Sequence, residues 1–184
     1  MKLNKFLIFL VVAVIASISL IKIEAQQSEQ TTISNVTVAE YVAIGLSTDL
    51  AEGILFGSVD PATNDNNATK NYAGAGGATT YYVAVSSDSN VNVDLCIKDN
   101  APLTSSGGQT IPNNGYTWDD DSSGTGPTLP GTAMSTTYVK TGVTNIAPGD
   151  NDYFRFWLDI PAGQPAGVYN NTVYFKGIKV GESC

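Results

Sequence analysis

Beyond residue 30 the chain alternates apolar and polar positions, and no stretch holds a helical period for three turns. A period of two is the mark of strands with one buried face. Val36, Val38, Val42, Ile44 and Leu46 share one face of a predicted long strand over 31–46, with Glu40 as its charged exception. A short apolar run over 54–59 closes at Asp60-Pro61 and predicts a second strand. Tyr81, Val83 and Val85 alternate with Tyr82 and Ala84. Val91, Val93, Leu95 and Ile97 alternate with Asn92, Asp94, Cys96 and Lys98, which places Cys96 on the outward side. Residues 134–140 form another candidate. Phe154, Phe156, Leu158 and Ile160 point one way, and Tyr153, Arg155, Trp157 and Asp159 the other. A last strand spans 168–180.

Turn-rich stretches at 64–77, 100–115, 119–131, 141–150 and 161–167 separate these runs. Seven or eight short strands with one apolar face each must bury those faces against a second sheet. The expectation is an all-β fold, a two-sheet antiparallel β-sandwich of immunoglobulin-like or jelly-roll type. Excursions as long as 64–77 and 100–131 are where specificity is expected to sit.

The opening breaks the pattern. Lys2 and Lys5 precede an apolar run over 6–21, and Ala25 stands before the polar Gln26-Gln27-Ser28. A basic start, an apolar core and a small residue at the cut site predict a cleaved secretory signal peptide. An uncleaved anchor is the rival, although sixteen helical residues reach about 24 Å against a hydrocarbon core of ~30 Å. A type IV pilin leader is another, but its apolar helix should continue where this chain turns polar. The predicted organisation is a signal peptide over 1–25, an N-terminal strand segment over 26–46 and a sandwich over 47–184, extracellular or at the cell surface. Membrane contact comes only through the leader if it is retained.

Charge and composition narrow the functions. Nine Lys+Arg face 17 Asp+Glu, a formal net charge of −8. Losing the leader removes three lysines and one glutamate and makes the balance more acidic still. Such a surface repels a phosphate backbone, so nucleic acid is not an expected partner. The chain has no histidine, hence neither the usual general base of serine and cysteine hydrolases nor the usual zinc ligand. A binding or structural protein is expected, not an enzyme.

The last third carries a recognisable pattern. Ile146-Ala147-Pro148-Gly149 leads into the strand over 153–160, Pro161 ends it, and Gly167-Val168-Tyr169-Asn170-Asn171-Thr172-Val173-Tyr174-Phe175 follows. This G-x-Y-x-x-T-V-x-F ending resembles the final hairpin of secreted β-sandwiches, namely the camelysin/TasA-like matrix fibre subunits and the WxL-type surface domains. A strand-forming segment directly after the leader is similar to the first group, and the resemblance covers about a third of the chain. No W-x-L tripeptide is present, so cell-wall binding is not carried over. The resemblance to fibre subunits implies a structural role, a surface filament or matrix fibre of identical copies in which the N-terminal strand of one copy completes the sheet of the next, with other surface proteins as the alternative partners. An unpaired strand edge is a template for such addition. The simpler expectation is that 31–46 pairs within its own sheet.

Several residue groups bear on chemistry. Cys96 and Cys184 are expected to pair with each other in an oxidising compartment, with an intersubunit disulfide or a free thiol as alternatives. Asn35, Asn67 and Asn170 open N-x-[ST] sequons and are candidate glycosylation acceptors. Asp60, Asp65 and Asn67 in one stretch, and Asp119, Asp120 and Asp121 in another, are candidate calcium ligands. The run Asp65-x-Asn67-x-Thr69 lacks the glycine and glutamate of an EF-hand, and a merely soluble acidic surface is the simpler expectation. No cofactor other than calcium is implied. Tyr116 with Trp118, and Trp157 with Tyr153, would form an aromatic platform for sugar rings, making a carbohydrate-binding surface module or adhesin the alternative function.

Overall fold

The computed structural model describes residues 29–184. The leader and its cut site lie outside the described residues. The chain divides into two units, residues 1–38 and residues 39–184. Within the first, residues 29–38 are exposed and form neither helix nor strand.

The second unit is an all-β antiparallel sandwich. In chain order its strands are β1 (Ile44–Leu46), β2 (Thr63–Asn67), β3 (Tyr82–Val85), β4 (Val93–Asp99), β5 (Leu103–Ser105) and β6 (Thr110–Ile111). Then come β7 (Tyr116–Asp121), β8 (Thr132–Ala133), β9 (Val139–Lys140), β10 (Asn151–Ile160), β11 (Tyr169–Asn170) and β12 (Val173–Lys179). One layer runs β1-β3-β10-β7-β8, with β2 also pairing β10. The other is a ribbon in two pieces, β12-β4-β9 and β11-β5-β6. Its pieces join where Asn100 and Thr172 exchange two hydrogen bonds, N–H to carbonyl at 3.0 Å and N–H to the Asn100 side chain at 2.8 Å.

Ten-residue β10 is the spine. Phe154, Phe156, Leu158 and Ile160 enter the core, where Phe154 meets Phe175 edge-on at 5.3 Å and Trp118 at 6.2 Å. Val93, Leu95 and Ile97 of β4 face them from the opposite layer. Interdigitation of the two inner faces is the main stabilising contribution, worth about 1.5–3 kcal/mol for each buried large side chain. Gly177 of β12 makes the close approach at one edge possible. A Cβ there would lie 2.8 Å from Ile44 and 3.0 Å from Val42, so the missing side chain is the seat for the N-terminal strand.

One edge of β10 is paired by three devices in succession. β3 takes Asn151–Tyr153, and β2 takes Trp157 to Ile160 with a register shift between Leu158 and Ile160. Asn71 closes the gap between them, its side chain accepting from the Phe156 N–H at 3.0 Å and donating to the Phe156 carbonyl at 2.7 Å. A buried amide thus imitates one residue of a strand.

Several sequence expectations are corrected here. The long strand over 31–46 shrinks to β1. Residues 39–43 instead run beside the turn at 86–90, where the Asn90 side chain accepts from the Tyr41 N–H and donates to the Ala39 carbonyl, and the Ser89 hydroxyl accepts from the Ala43 N–H. Residues 54–59 are no strand, because Gly53 and Gly57 at φ of 119° and 71° break the pleat. The stretch 64–77 takes in all but the first residue of β2, and 100–131 contains β5 to β7, so neither is the structureless loop expected. Residues 134–140 yield only β9, and 168–180 splits into β11 and β12. A one-turn helix α1 (Thr48–Glu52) was not expected. The Ser47 hydroxyl caps it by accepting from the Leu50 N–H.

Cys96 and Cys184 form a disulfide with Cα atoms 6.0 Å apart. Cys96 does lie on the outward side of β4, yet it is fully buried, because the chain end folds back over it. Lys140 donates to the Glu182 carbonyl at 2.8 Å and Lys176 to the Cys184 carbonyl at 3.1 Å. The Gly181 N–H reaches the Asp94 carboxylate at 3.3 Å.

Candidate functional site

A concavity of the second unit opens on the sandwich edge between the layers. It encloses about 950 Å³. Leu46 and α1, then residues 53–59, form one wall; residues 167–173 and Phe175 form the other. Tyr116, Leu158 and Ile160 are the floor. Phe56 packs edge-on against Tyr116 at 5.7 Å, and Tyr116 leans on Phe156 at 6.3 Å. Burial raises the pKa of the Tyr116 phenol, so it stays neutral and contributes an apolar ring with one polar tip.

The groove exists because the edge is only half closed. Toward one end Val42 and Ile44 fill the seam beside Gly177 and Val93. At Ser47 the chain turns into α1, and no further strand pairs along the edge among the described residues. β12 ends its sheet and β11 ends its own, so their outer edges have no strand partner among the described residues. Behind the groove Asp99 is wholly buried, accepting from the Asn113 amide at 3.1 Å and the Asn171 amide at 3.3 Å. Burial raises its pKa, and the two amides counteract only part of that. This knot fixes the junction of β11 and β12 that forms the far wall.

The other predicted site residues are dispersed. Val36 and Val38 are 83% and 77% exposed in the N-terminal unit, while Val42 and Ile44 pack against the core and Leu46 stands half-exposed at the groove mouth. Asn35, Asn67 and Asn170 are all exposed. The calcium candidates do not converge. No group of three acidic, histidine or cysteine side chains able to hold a metal occurs among the described residues. Asp60 and Asp65 with Asn67 lie at β2, on the side of β10 opposite to β7. Successive side chains alternate faces, so Asp119 and Asp121 both hold the β7–β8 loop from one face while Asp120 holds residues 142–143 from the other. Asp119 accepts from Thr128 N–H at 2.7 Å, Asp121 from Ser123 N–H at 2.8 Å, and Asp120 from Gly142 and Val143 N–H at 2.9 and 2.6 Å.

The sugar platform is likewise overturned. Tyr116, Trp118 and Trp157 are each 2% exposed, the first two in the core and Trp157 on the opposite face of the same layer. That face was expected to be open. It is covered by loops that Arg155 ties down with hydrogen bonds to the carbonyls of Asn71, Pro127, Gly77 and Gly124, at 3.0, 2.6, 2.8 and 3.3 Å.

A buried acid lies elsewhere between the layers. Asp152 of β10 is wholly buried, and neither of its carboxyl oxygens receives a well-formed hydrogen bond. Burial first, then the Asp120 carboxylate, push its pKa up to about 9, against a smaller downward pull from the Thr141 hydroxyl. The folded protein therefore holds a proton that the unfolded chain releases above about pH 4. The stability that this group contributes is fully present below that point and is lost as pH rises toward 9. Asp152→Asn should melt roughly 5 °C higher than the parent near pH 8, with the difference closing toward pH 4. Thermal melts with identical pH slopes for the two proteins would refute the assignment.

Comparison with protein-family models, curated proteins and solved structures finds no match for this chain. The fold and the groove therefore carry the functional reading. The sequence pattern marks residues 54–59 and 167–175 as strands and not as walls of a groove, although the paired glycines Gly53 and Gly57 are a signal that the first run leaves the sheet.

Proposed function

We propose that the protein is a secreted structural subunit of a surface filament or matrix fibre, and not an enzyme, in which the N-terminal segment of one copy seats in the groove of the next. The observation that carries this reading is an unpaired edge over an apolar trough in a chain whose N-terminal unit bears exposed apolar residues. Ile33, Val36 and Val38 are 94%, 83% and 77% exposed. Residues 30–39 contain no charged side chain, as suits a trough lined by apolar and neutral residues. Ten extended residues span about 33 Å, enough for the roughly 26 Å of open edge over 168–175. The incoming strand would add its backbone to β11 and β12 and turn alternate side chains toward Tyr116, Leu158 and Ile160. The lent portion is upstream of Tyr41, since 41–46 are engaged in their own sheet. The disulfide accords with an oxidising compartment, and the resemblance of the last third to matrix fibre subunits points the same way.

Val36→Asp/Val38→Asp tests the proposal. The double variant should remain folded with an unchanged melting temperature, because both side chains are exposed, yet form no fibres by negative-stain microscopy while the parent does. Fibres of normal appearance from the variant, or a parent that stays monomeric at every concentration, would exclude strand exchange.

A further inference from the structure

The chain is acidic, but its cations are not evenly spread. Of the six lysines and arginines between residues 29 and 184, Lys98, Lys140, Lys176 and Lys179 lie on β4, β9 and β12. On the outward face of this sheet, Asp94 is held by Lys140 at 2.9 Å, by the Asn145 N–H at 2.9 Å and by the Gly181 N–H at 3.3 Å. These bonds outweigh the opposing effect of burial and keep its carboxyl below the usual range. The rest of that face is a row across three strands. Tyr174 of β12 lies in register with Lys98 of β4, and Tyr138, continuing the β9 register by one residue, stands on the other side of Lys98. The Lys98 ammonium sits 4.8 Å from the Tyr138 ring centre and 5.4 Å from that of Tyr174. Lys176 is 5.7 Å from Tyr138. Lys98 has no carboxylate partner within ion-pair distance among the described residues.

We infer that this row, Tyr138–Lys98–Tyr174 with Lys176 beside it, is a binding face for a carboxylated polysaccharide. The site rests on different residues from the platform expected at Tyr116, Trp118 and Trp157, and it does not depend on strand exchange. Two tyrosine rings one strand apart on either side of β4 are separated by about 9.6 Å, twice the inter-strand spacing. That is room for successive sugar rings to lie against the sheet, with their apolar C–H faces on the phenols and their hydroxyls toward the phenolic oxygens. A lysine held over two rings keeps its N–H donors free for an anion, and the flanking rings fix where the charge stands. Charge density selects among polyanions. A duplex with a phosphate every ~1.7 Å would be repelled by the chain's net −8, whereas one carboxylate per sugar matches Lys98, with Lys176, which also donates to the Cys184 carbonyl, beside it and Asp94 on the same face neutralised by Lys140.

Biolayer interferometry of the intact protein on immobilised polygalacturonate and on immobilised dextran tests the inference. Binding to polygalacturonate, weakened by salt, with none to dextran, is the expected result. Lys98→Gln and Tyr138→Ala should each weaken it by roughly five- to tenfold, while Lys98→Arg, which keeps the charge and stacks on the rings, should retain it. Circular dichroism and melting of each variant separate lost binding from lost fold. The Val36→Asp/Val38→Asp protein should bind like the parent, so a failure of the fibre reading leaves this result standing. No binding to polygalacturonate, equal binding to dextran, or a Lys98→Gln protein that binds like the parent would overturn the assignment. Loss of self-association in Lys98→Gln without any glycan binding would make the face a contact between copies, and overturn it equally.

Discussion

Cys96→Ala/Cys184→Ser should unfold about 4.5 kcal/mol more readily than the parent, with a melting temperature lower by roughly 10–15 °C. The disulfide closes a loop of 88 residues, long enough for the chain-entropy contribution to be near its upper range. Its loss also releases the returning chain end, and with it the bonds from Lys140 to the Glu182 carbonyl and from Lys176 to the Cys184 carbonyl. Position 96 would then be uncovered on β4. Urea titrations of the parent with and without reductant provide the second arm, and both arms should agree. A shift below ~1 kcal/mol would mean that the tail stays docked without its covalent bond and that the crosslink contributes little.

Arg155→Met should cost about 3–5 kcal/mol, and Arg155→Lys only somewhat less. The guanidinium is 5% exposed and has no carboxylate within ion-pair distance among the described residues. Four carbonyls from two separate loops solvate it, and it stacks 4.2 Å above the ring of Tyr72. Methionine fills much of the space but leaves those carbonyls without their donor, each at a cost of about 1–3 kcal/mol if it stays buried. Lysine keeps the charge as a point and cannot reach carbonyls arranged around a fork. Loosening of residues 71–77 and 124–127 should uncover Trp157, so hydrogen exchange confined to those loops and a red-shifted tryptophan emission accompany the loss. Unchanged stability in Arg155→Met would show that water replaces the guanidinium without cost.

Strands that bury one face and expose the other are legible from alternation, and so β3, β4 and β10 stand where the pattern puts them. The elements that escape are those stabilised by bonds the pattern does not encode. β2 reads Thr-Asn-Asp-Asn-Asn and has nothing to bury. It holds because the Asn66 amide donates to the Leu158 carbonyl at 2.7 Å and the Asp65 N–H to the Asp159 carboxylate at 2.7 Å. β7 carries three aspartates in succession and resembles a loop, yet each carboxylate is occupied by backbone donors of a neighbouring turn. The face of Trp157 was assigned to solvent because alternation says which way a side chain points, not what lies above it. Arg155, the only arginine of the chain and set amid an apolar strand, is the sequence signal that something polar must cover that face. The cysteine pair was legible because only two thiols exist. The groove was not, since a trough is defined by a segment that stops at Ser47, and a stop has no periodicity.

The β12–β4 ladder also bears on mechanics. Under the proposed strand exchange, a load passed along a line of copies would enter each one at the outer edge of β11 and β12. It would cross to β4 over seven register pairs, from Val173 opposite Asp99 to Lys179 opposite Val93. Hydrogen bonds pulled lengthwise share the force and yield together, whereas those at the end of a hairpin open one after another like a zip. Because β4 is anchored by Cys96, the tension would be carried on into a covalent link, and the thread would resist stretching at its most exposed seam.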